Sequence, residues 1–321
     1  MTPALSEYAD RVRDAAASGA RLRVCGALSK PWMRMQTGVE GERLSLADYA
    51  GILDYKPAEL VVTVRAGTRL ADLDAMLAES GQMLAAEAPD FNGGSTIGGA
   101  VALGWQGSRG AFAGGLRDAV IGLTMINGRG ELLRFGGEVM KNVAGFDVSR
   151  LMVGSQGRLG VIAELSLRVV PRPASEVTRH WPLPDLEASR AAVNRWLLAG
   201  FPVSAACFSE GVLRARFSGA PGMLQEVQRE CGGEVGDNDF WSALRRLELP
   251  LFHHGWGDEK LFDGNGDICW TAHTRRQGRG PVVGLAEGPV DDKREPAIAA
   301  LLGRVTAAFD PQAVFQRRAA A

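Results

Sequence analysis

Nine of the 24 residues from Asn92 to Gly115 are glycines, where random placement of the chain's 41 glycines would put about three. Glycine has no Cβ, so such a stretch turns tightly and lets a second backbone or a ligand come close. Within it, Ser95-Thr96-Ile97-Gly98-Gly99-Ala100-Val101-Ala102 reads as a loop entering a short helix of small residues. Free amides at that helix start, unobstructed at Gly98 and Gly99, would suit an anionic group such as pyrophosphate, with Thr96 adding a hydroxyl donor. A glycine-rich surface loop of tight turns is the competing reading from composition alone.

A second cluster, Gly154-Ser155-Gln156-Gly157-Arg158-Leu159-Gly160-Val161-Ile162, leads out of a helix into an alternating strand. A dinucleotide-binding G-x-G-x-x-G follows a strand and opens a helix, which is the opposite order, and the chain has no G-x-x-x-x-G-K-[ST]. Nicotinamide and P-loop chemistry are thereby disfavoured. The net charge of -1 offers no broad basic face for nucleic acid. Cys25, Cys207, Cys231 and Cys269 form no C-x-x-C pair, and His180, His253, His254 and His273 lack helical zinc spacing, so neither a metal site nor an iron–sulfur cluster is expected. Met1 to Ala20 lacks a secretory apolar core, and no uncharged apolar run is long enough to span a bilayer.

The chain divides by pattern. A helix over 5–18, strands over 21–25 and 60–65, and a helix capped by Thr68 with a Leu70, Leu73, Met76 and Leu77 stripe come first. Strands over 121–126 and 131–135 should pair antiparallel through Asn127-Gly128, whose residues favour positive φ, with Arg129-Gly130 lengthening the loop. Val161, Ala163, Leu165, Leu167 and Val169 alternate along one strand face. Pro171-Arg172-Pro173 marks the expected boundary. Beyond it, strands near 176–181, 203–208, 212–217 and 233–235, with helices over 186–199 and 221–230, suggest a smaller α+β domain with a ferredoxin-like, split β-α-β arrangement. The expected division is 1–172, 173–290 and a C-terminal helical segment, 291–321, returning toward the first domain.

The Thr96-Ile97-Gly98-Gly99 helix start, the Arg117-Asp118 pair before a strand, the stretch Lys141 to Asp147, and Gly154 to Ile162 together resemble the PCMH-type FAD-binding domain shared by vanillyl-alcohol oxidase, D-lactate dehydrogenase and glycolate oxidase. The run from Phe135 to Met152 is similar in particular to the family of glycolate oxidase FAD-binding subunits. The resemblance implies an α+β fold in which a two-lobed FAD-binding domain precedes a smaller cap. It also implies a site made of Gly26, Ser29, Thr96, Ile97, Gly98, Gly99, Gly154, Ser155, Gly157, Gly160, Val161 and Ile162. FAD would be held non-covalently, with Arg109, Arg117 or Lys141 as candidate cations near the flavin N1 region.

Two departures bear on function. Where the family carries an arginine, three glycines, a serine and a lysine, this chain reads Cys25-Gly26-Ala27-Leu28-Ser29-Lys30. If positive φ is needed there, Ala27 and Leu28 would each cost about 1 kcal/mol. The H-x-G-D-G-N-x-H type constellation of the catalytic glycolate oxidase subunit is missing, and Asp263-Gly264-Asn265-Gly266-Asp267 reads as a polar turn, so no catalytic base is assigned. The resemblance implies a FAD-binding subunit of a complex oxidising small 2-hydroxy acids, partnered by a catalytic flavoprotein and an iron–sulfur subunit. Such a chain would be cytoplasmic, reaching the inner membrane peripherally through its partners. A self-sufficient FAD-dependent dehydrogenase, drawing a base from His253, His254 or His273, is one alternative. A non-catalytic assembly subunit that has lost tight FAD binding is the other.

Overall fold

The computed structural model describes residues 5–30, 41–137, 147–246, 260–263, 268–271, 282–284 and 296–315. The helix Leu5–Ser18 buries Tyr8, Ala9, Val12 and Ala15, a stripe at helical spacing that faces the first core. Strands β1 (Leu22–Cys25) and β2 (Glu42–Ser45) pair in parallel. A separate five-stranded sheet holds β3 (Ile52–Lys56), β4 (Val61–Arg65), β6 (Val120–Ile126), β7 (Leu132–Gly136) and β8 (Val161–Arg168) in the order β3-β4-β8-β6-β7. Every neighbouring pair in it is antiparallel. The short strands β5 (Gln82–Met83) and β9 (Val170–Pro171) pair beside it. Val161, Ala163, Leu165 and Leu167 of β8, with Val169 just beyond, are fully buried, so the alternation in the sequence is the core face of the sheet's central strand.

Two local expectations give way to longer-range bonds. Thr68 caps no helix: its hydroxyl accepts from Gly51 N at 2.9 Å and donates to Gly51 O at 3.2 Å. The helix Leu70–Glu79 starts after Arg69 with no side-chain cap. In the β6–β7 hairpin the positive φ falls on Gly130, not on Asn127-Gly128. Asn127 Oδ1 accepts from the amides of Arg129 and Glu131, which folds a longer turn and moves the left-handed position to its end. Gly128 N is used instead to hold Phe309 O at 2.8 Å.

The second core is built on strands β10 (Ser175–Pro182), β11 (Val203–Ser209), β12 (Val212–Gly219), β13 (Glu234–Val235), β14 (Lys260–Asp263), β15 (Ile268–Thr271) and β16 (Val282–Gly284). Their sheet runs β13-β10-β12-β11-β14-β15-β16. The helix Leu186–Leu198 links β10 to β11, and Pro221–Glu230 links β12 to β13, so the first four strands make a split β-α-β-β-α-β unit with β14 to β16 added at one edge. Val193, Trp196, Leu213, Phe217 and Val227 fill the space beneath the two helices.

The two cores meet through charge. Glu87, from the glycine-rich half, accepts from Arg216 Nη2 at 2.8 and 2.9 Å and from Arg109 Nε at 3.1 Å. Arg109 also reaches Glu176 on β10. Nearby, Arg245 pairs with Asp74 at 2.6 Å and donates to Ala88 O at 2.9 Å, which ties the helix Asp239–Arg246 to the first core. The chain end returns to that core as well. Buried Asp310 accepts from the amides of Val314 and Phe315, and Leu22 N donates to Val314 O, so Phe315 sits in the first core.

Candidate functional site

An open groove lies between β1 with the loop that follows it and the helix Ile97–Leu103 with the 156–160 loop. Its apolar walls come from Leu22, Val24, Leu46, Leu103, Ile162 and Phe315. Arg23 and Lys30 line it, and among the described residues no carboxylate does. Apolar walls around a cationic, amide-rich centre suit an elongated ligand with an anionic middle and flat apolar ends.

Eight of the residues expected at the site line this groove: Gly26, Ser29, Thr96, Gly98, Gly99, Gly157, Gly160 and Ile162. Ile97, Gly154, Ser155 and Val161 do not. The side chains of Ile97 and Val161 are fully buried in the first core. Gly154 N donates to Val101 O at 3.0 Å and Gln156 N to Ala102 O at 2.8 Å, so this stretch docks the loop on the end of the short helix while Gln156 and Gly157 face the groove. Gly160, at φ +145°, then passes so close to Ile126 O that any side chain would press on that carbonyl.

The helix-start amides are not free. Ile97 N donates to Thr68 O at 2.8 Å, Gly98 N to Ala66 O at 2.9 Å, and Gly99 N to the Thr96 hydroxyl oxygen at 3.2 Å. Protein acceptors have taken the places an anion would occupy. The unused donors lie across the groove, where the amides of Gly26, Ala27, Leu28 and Ser29 meet no acceptor among the described residues. Successive amides in a turn of this kind form a concave anion site.

Leu28 sits in the left-handed region at φ +55°, whereas Ala27 does not. The glycine replaced by Leu28 is therefore the one whose loss strains the loop. Relief of about 1 kcal/mol is partly offset by the freedom glycine adds to the unfolded chain. Since Leu28 is 37% exposed and loses only part of its packing, Leu28→Gly is expected to leave the melting temperature little changed. A clear fall would show that the leucine side chain, not the backbone, shapes the loop.

Lys30 is held on three sides: its Nζ lies 3.0 Å from Ser29 Oγ, 2.8 Å from Ser95 Oγ and 4.4 Å from the Phe91 ring centre. Burial lowers its ammonium to about 8, against the raising effect of Asp90. Arg109 is spent on the inter-core carboxylates, and Arg117 is exposed and off the groove. Lys141 lies outside the described residues, as do His253, His254 and His273. Sequence reasoning also passed over Arg23, Gln156 and Phe315. Only Phe315 had a signal, the Phe309-Asp310-Pro311 ending whose carboxylate holds it in place.

A protein-family model described as FAD binding domain matches residues 5–136. The chain is 40% identical over 243 residues to glycolate oxidase subunit GlcE of Escherichia coli (strain K12), covering 76% of this chain and 69% of that one. It is 35% identical over 158 residues to D-lactate dehydrogenase of Anaerostipes hadrus, and 36% identical over 127 residues to glycolate oxidase subunit GlcD of Bacillus subtilis (strain 168). Those two matches cover 49% and 40% of this chain but only 33% and 27% of the relatives. Among solved structures, alkyldihydroxyacetonephosphate synthase aligns with a TM-score of 0.61 at 16% identity, over 76% of this chain and 53% of that one, which shows a shared fold. With its groove, its fold and this degree of identity, the chain belongs to the family of FAD-binding oxidoreductases that includes glycolate oxidase subunit GlcE.

Proposed function

We propose that the chain is the FAD-binding subunit of a glycolate oxidase-like complex, working with a catalytic flavoprotein and an iron–sulfur subunit on small 2-hydroxy acids. The observation that carries this reading is the 40% identity spanning 69% of GlcE. The groove supports it: its described lining offers amide, hydroxyl and cationic groups but no histidine or carboxylate to take a proton from a hydroxy acid. On this reading the substrate base belongs to a partner. Non-covalent FAD would supply the redox chemistry, with Gly26 to Ser29, Thr96, Gly98, Gly99, Gly157, Gly160 and Ile162 around it. Among the described residues no helix is long and apolar enough to cross a membrane, in keeping with a cytoplasmic chain that meets the inner membrane through its partners.

Affinity purification of the tagged full chain from native extract tests the assembly. Recovery of a flavoprotein and an iron–sulfur protein, with glycolate-dependent dye reduction that disappears when this chain is left out, is the expected result. A lone monomer that itself turns over a 2-hydroxy acid would overturn it. Lys30 adds a pH dependence. An anionic ligand stabilises the charged lysine, so FAD affinity should be constant below pH 8 and weaken as the pH rises through about 8. Titration of the apoprotein at about pH 7 and pH 9 reads this out, and Lys30→Met should flatten the profile.

A further inference from the structure

We propose that Arg23 supplies the cation that pairs with the diphosphate of FAD, a role that rests on the groove being the FAD site. Among the described residues two cationic ones line the groove, and they differ in how their charge is used. The Lys30 ammonium already has two hydroxyl oxygens and an aromatic face around it. Arg23 has nothing comparable: its Nε is buried without a hydrogen-bond partner, and its guanidinium makes no ion pair among the described residues. A buried donor left unmade is costly, and an arginine held in that state calls for an acceptor that the described residues do not provide.

The direction follows from the strand. All four residues of β1, Leu22 to Cys25, line the groove, as does the loop that continues from Cys25, so Arg23 stands at the groove wall two residues before the loop. The amides of Gly26 to Ser29, which meet no acceptor among the described residues, follow on that loop, so an anion received by those amides shares the groove that Arg23 lines. A guanidinium presents several donors in a planar fork suited to phosphate oxygens, which an ammonium does not. With the helix-start amides taken internally, Arg23 and the 26–29 amides are among the groove's donors left to meet the charge.

The test is FAD titration of the full-length apoprotein by flavin fluorescence, at low and high salt, for the parent, Arg23→Gln and Arg23→Lys, with the melting temperature of each apoprotein alongside. Arg23→Gln should weaken FAD binding by about 10- to 100-fold and reduce its salt dependence, because one charged pair is gone. ADP, which keeps the diphosphate, should lose the same factor as a competitor, and Arg23→Lys should recover only part of it. The apoprotein should melt at the parent temperature, since the Arg23 side chain has no hydrogen bond or ion pair among the described residues. Unchanged FAD affinity in Arg23→Gln would overturn the assignment while leaving the site intact. A loss of affinity accompanied by a lower apoprotein melting temperature would make Arg23 structural and also overturn it. A parent chain that fails to bind FAD would overturn both the assignment and the site.

Discussion

Glu87→Gln is expected to destabilise the protein by about 3 kcal/mol, the range for breaking a buried ion pair from one side. Glu87 is the shared acceptor for Arg216 and Arg109, whose side chains are each 6% exposed. Removing its charge leaves two buried guanidiniums with Glu176 as the one carboxylate paired with them among the described residues. Burial alone would raise the Glu87 carboxyl, but Arg216 and Arg109 outweigh it and hold it below its ordinary value of 4.5. A carboxylate depressed in the folded state stabilises fully above pH 4.5 and loses that contribution as the pH falls through the lowered value. Urea unfolding across acid pH should therefore show the parent losing stability on that limb while Glu87→Gln changes less. Glu42→Gln, which removes the exposed partner of Arg11, is the control, with an expected effect of about 0–1 kcal/mol. Equal losses in the two variants would show that the inter-core cluster is no more than a surface feature.

The adjacent glycines 98 and 99 are expected to fail in opposite ways when given side chains. A Cβ at Gly98 would lie 2.5 Å from Ala66 Cβ and 2.9 Å from Ala66 O, the carbonyl its own amide bonds. Backbone must move, so Gly98→Ala should cost about 2–3 kcal/mol in the apoprotein. A Cβ at Gly99 meets only Thr96 Oγ1, at 3.0 Å, and otherwise faces the groove. Gly99→Val should change apoprotein stability by less than about 1 kcal/mol, yet weaken FAD binding by about 100-fold by occupying the space FAD needs. Thermal melts and FAD titrations of both variants separate the two effects. A Gly99→Val chain that binds FAD like the parent would place the cofactor elsewhere.

What the sequence made legible is what short-range pattern encodes. The alternation from Val161 to Val169 becomes the buried face of β8, and the apolar stripe at Leu70, Leu73 and Leu77 becomes the packed side of its helix. The glycine positions of the groove stand out for the same reason, since a missing Cβ is visible without a structure. The illegible part depends on partners far along the chain. Whether the Gly98 amide is free is decided by Ala66, and the Ile97 amide by Thr68. Arg109 looks like a cation beside a cofactor loop until Glu176, 67 residues away, claims it, and Glu87 waits 129 residues for Arg216. Ala27 and Leu28 look equivalent as replacements for glycine, but the fold asks for positive φ only at Leu28. Arg23 precedes the glycine positions, and only the groove shows its donor without a partner.

If the groove between β1 and the Ile97–Leu103 helix holds FAD, the purified chain carries the flavin or takes it up. The most direct measurement is to purify the full chain, record its visible spectrum, release any chromophore with acid, and quantify it before and after incubation with FAD. About one releasable FAD per chain, abolished by Gly99→Val while the protein stays folded, is the expected result. A folded parent chain that neither carries FAD nor takes it up would contradict the claim and leave the groove to some other role.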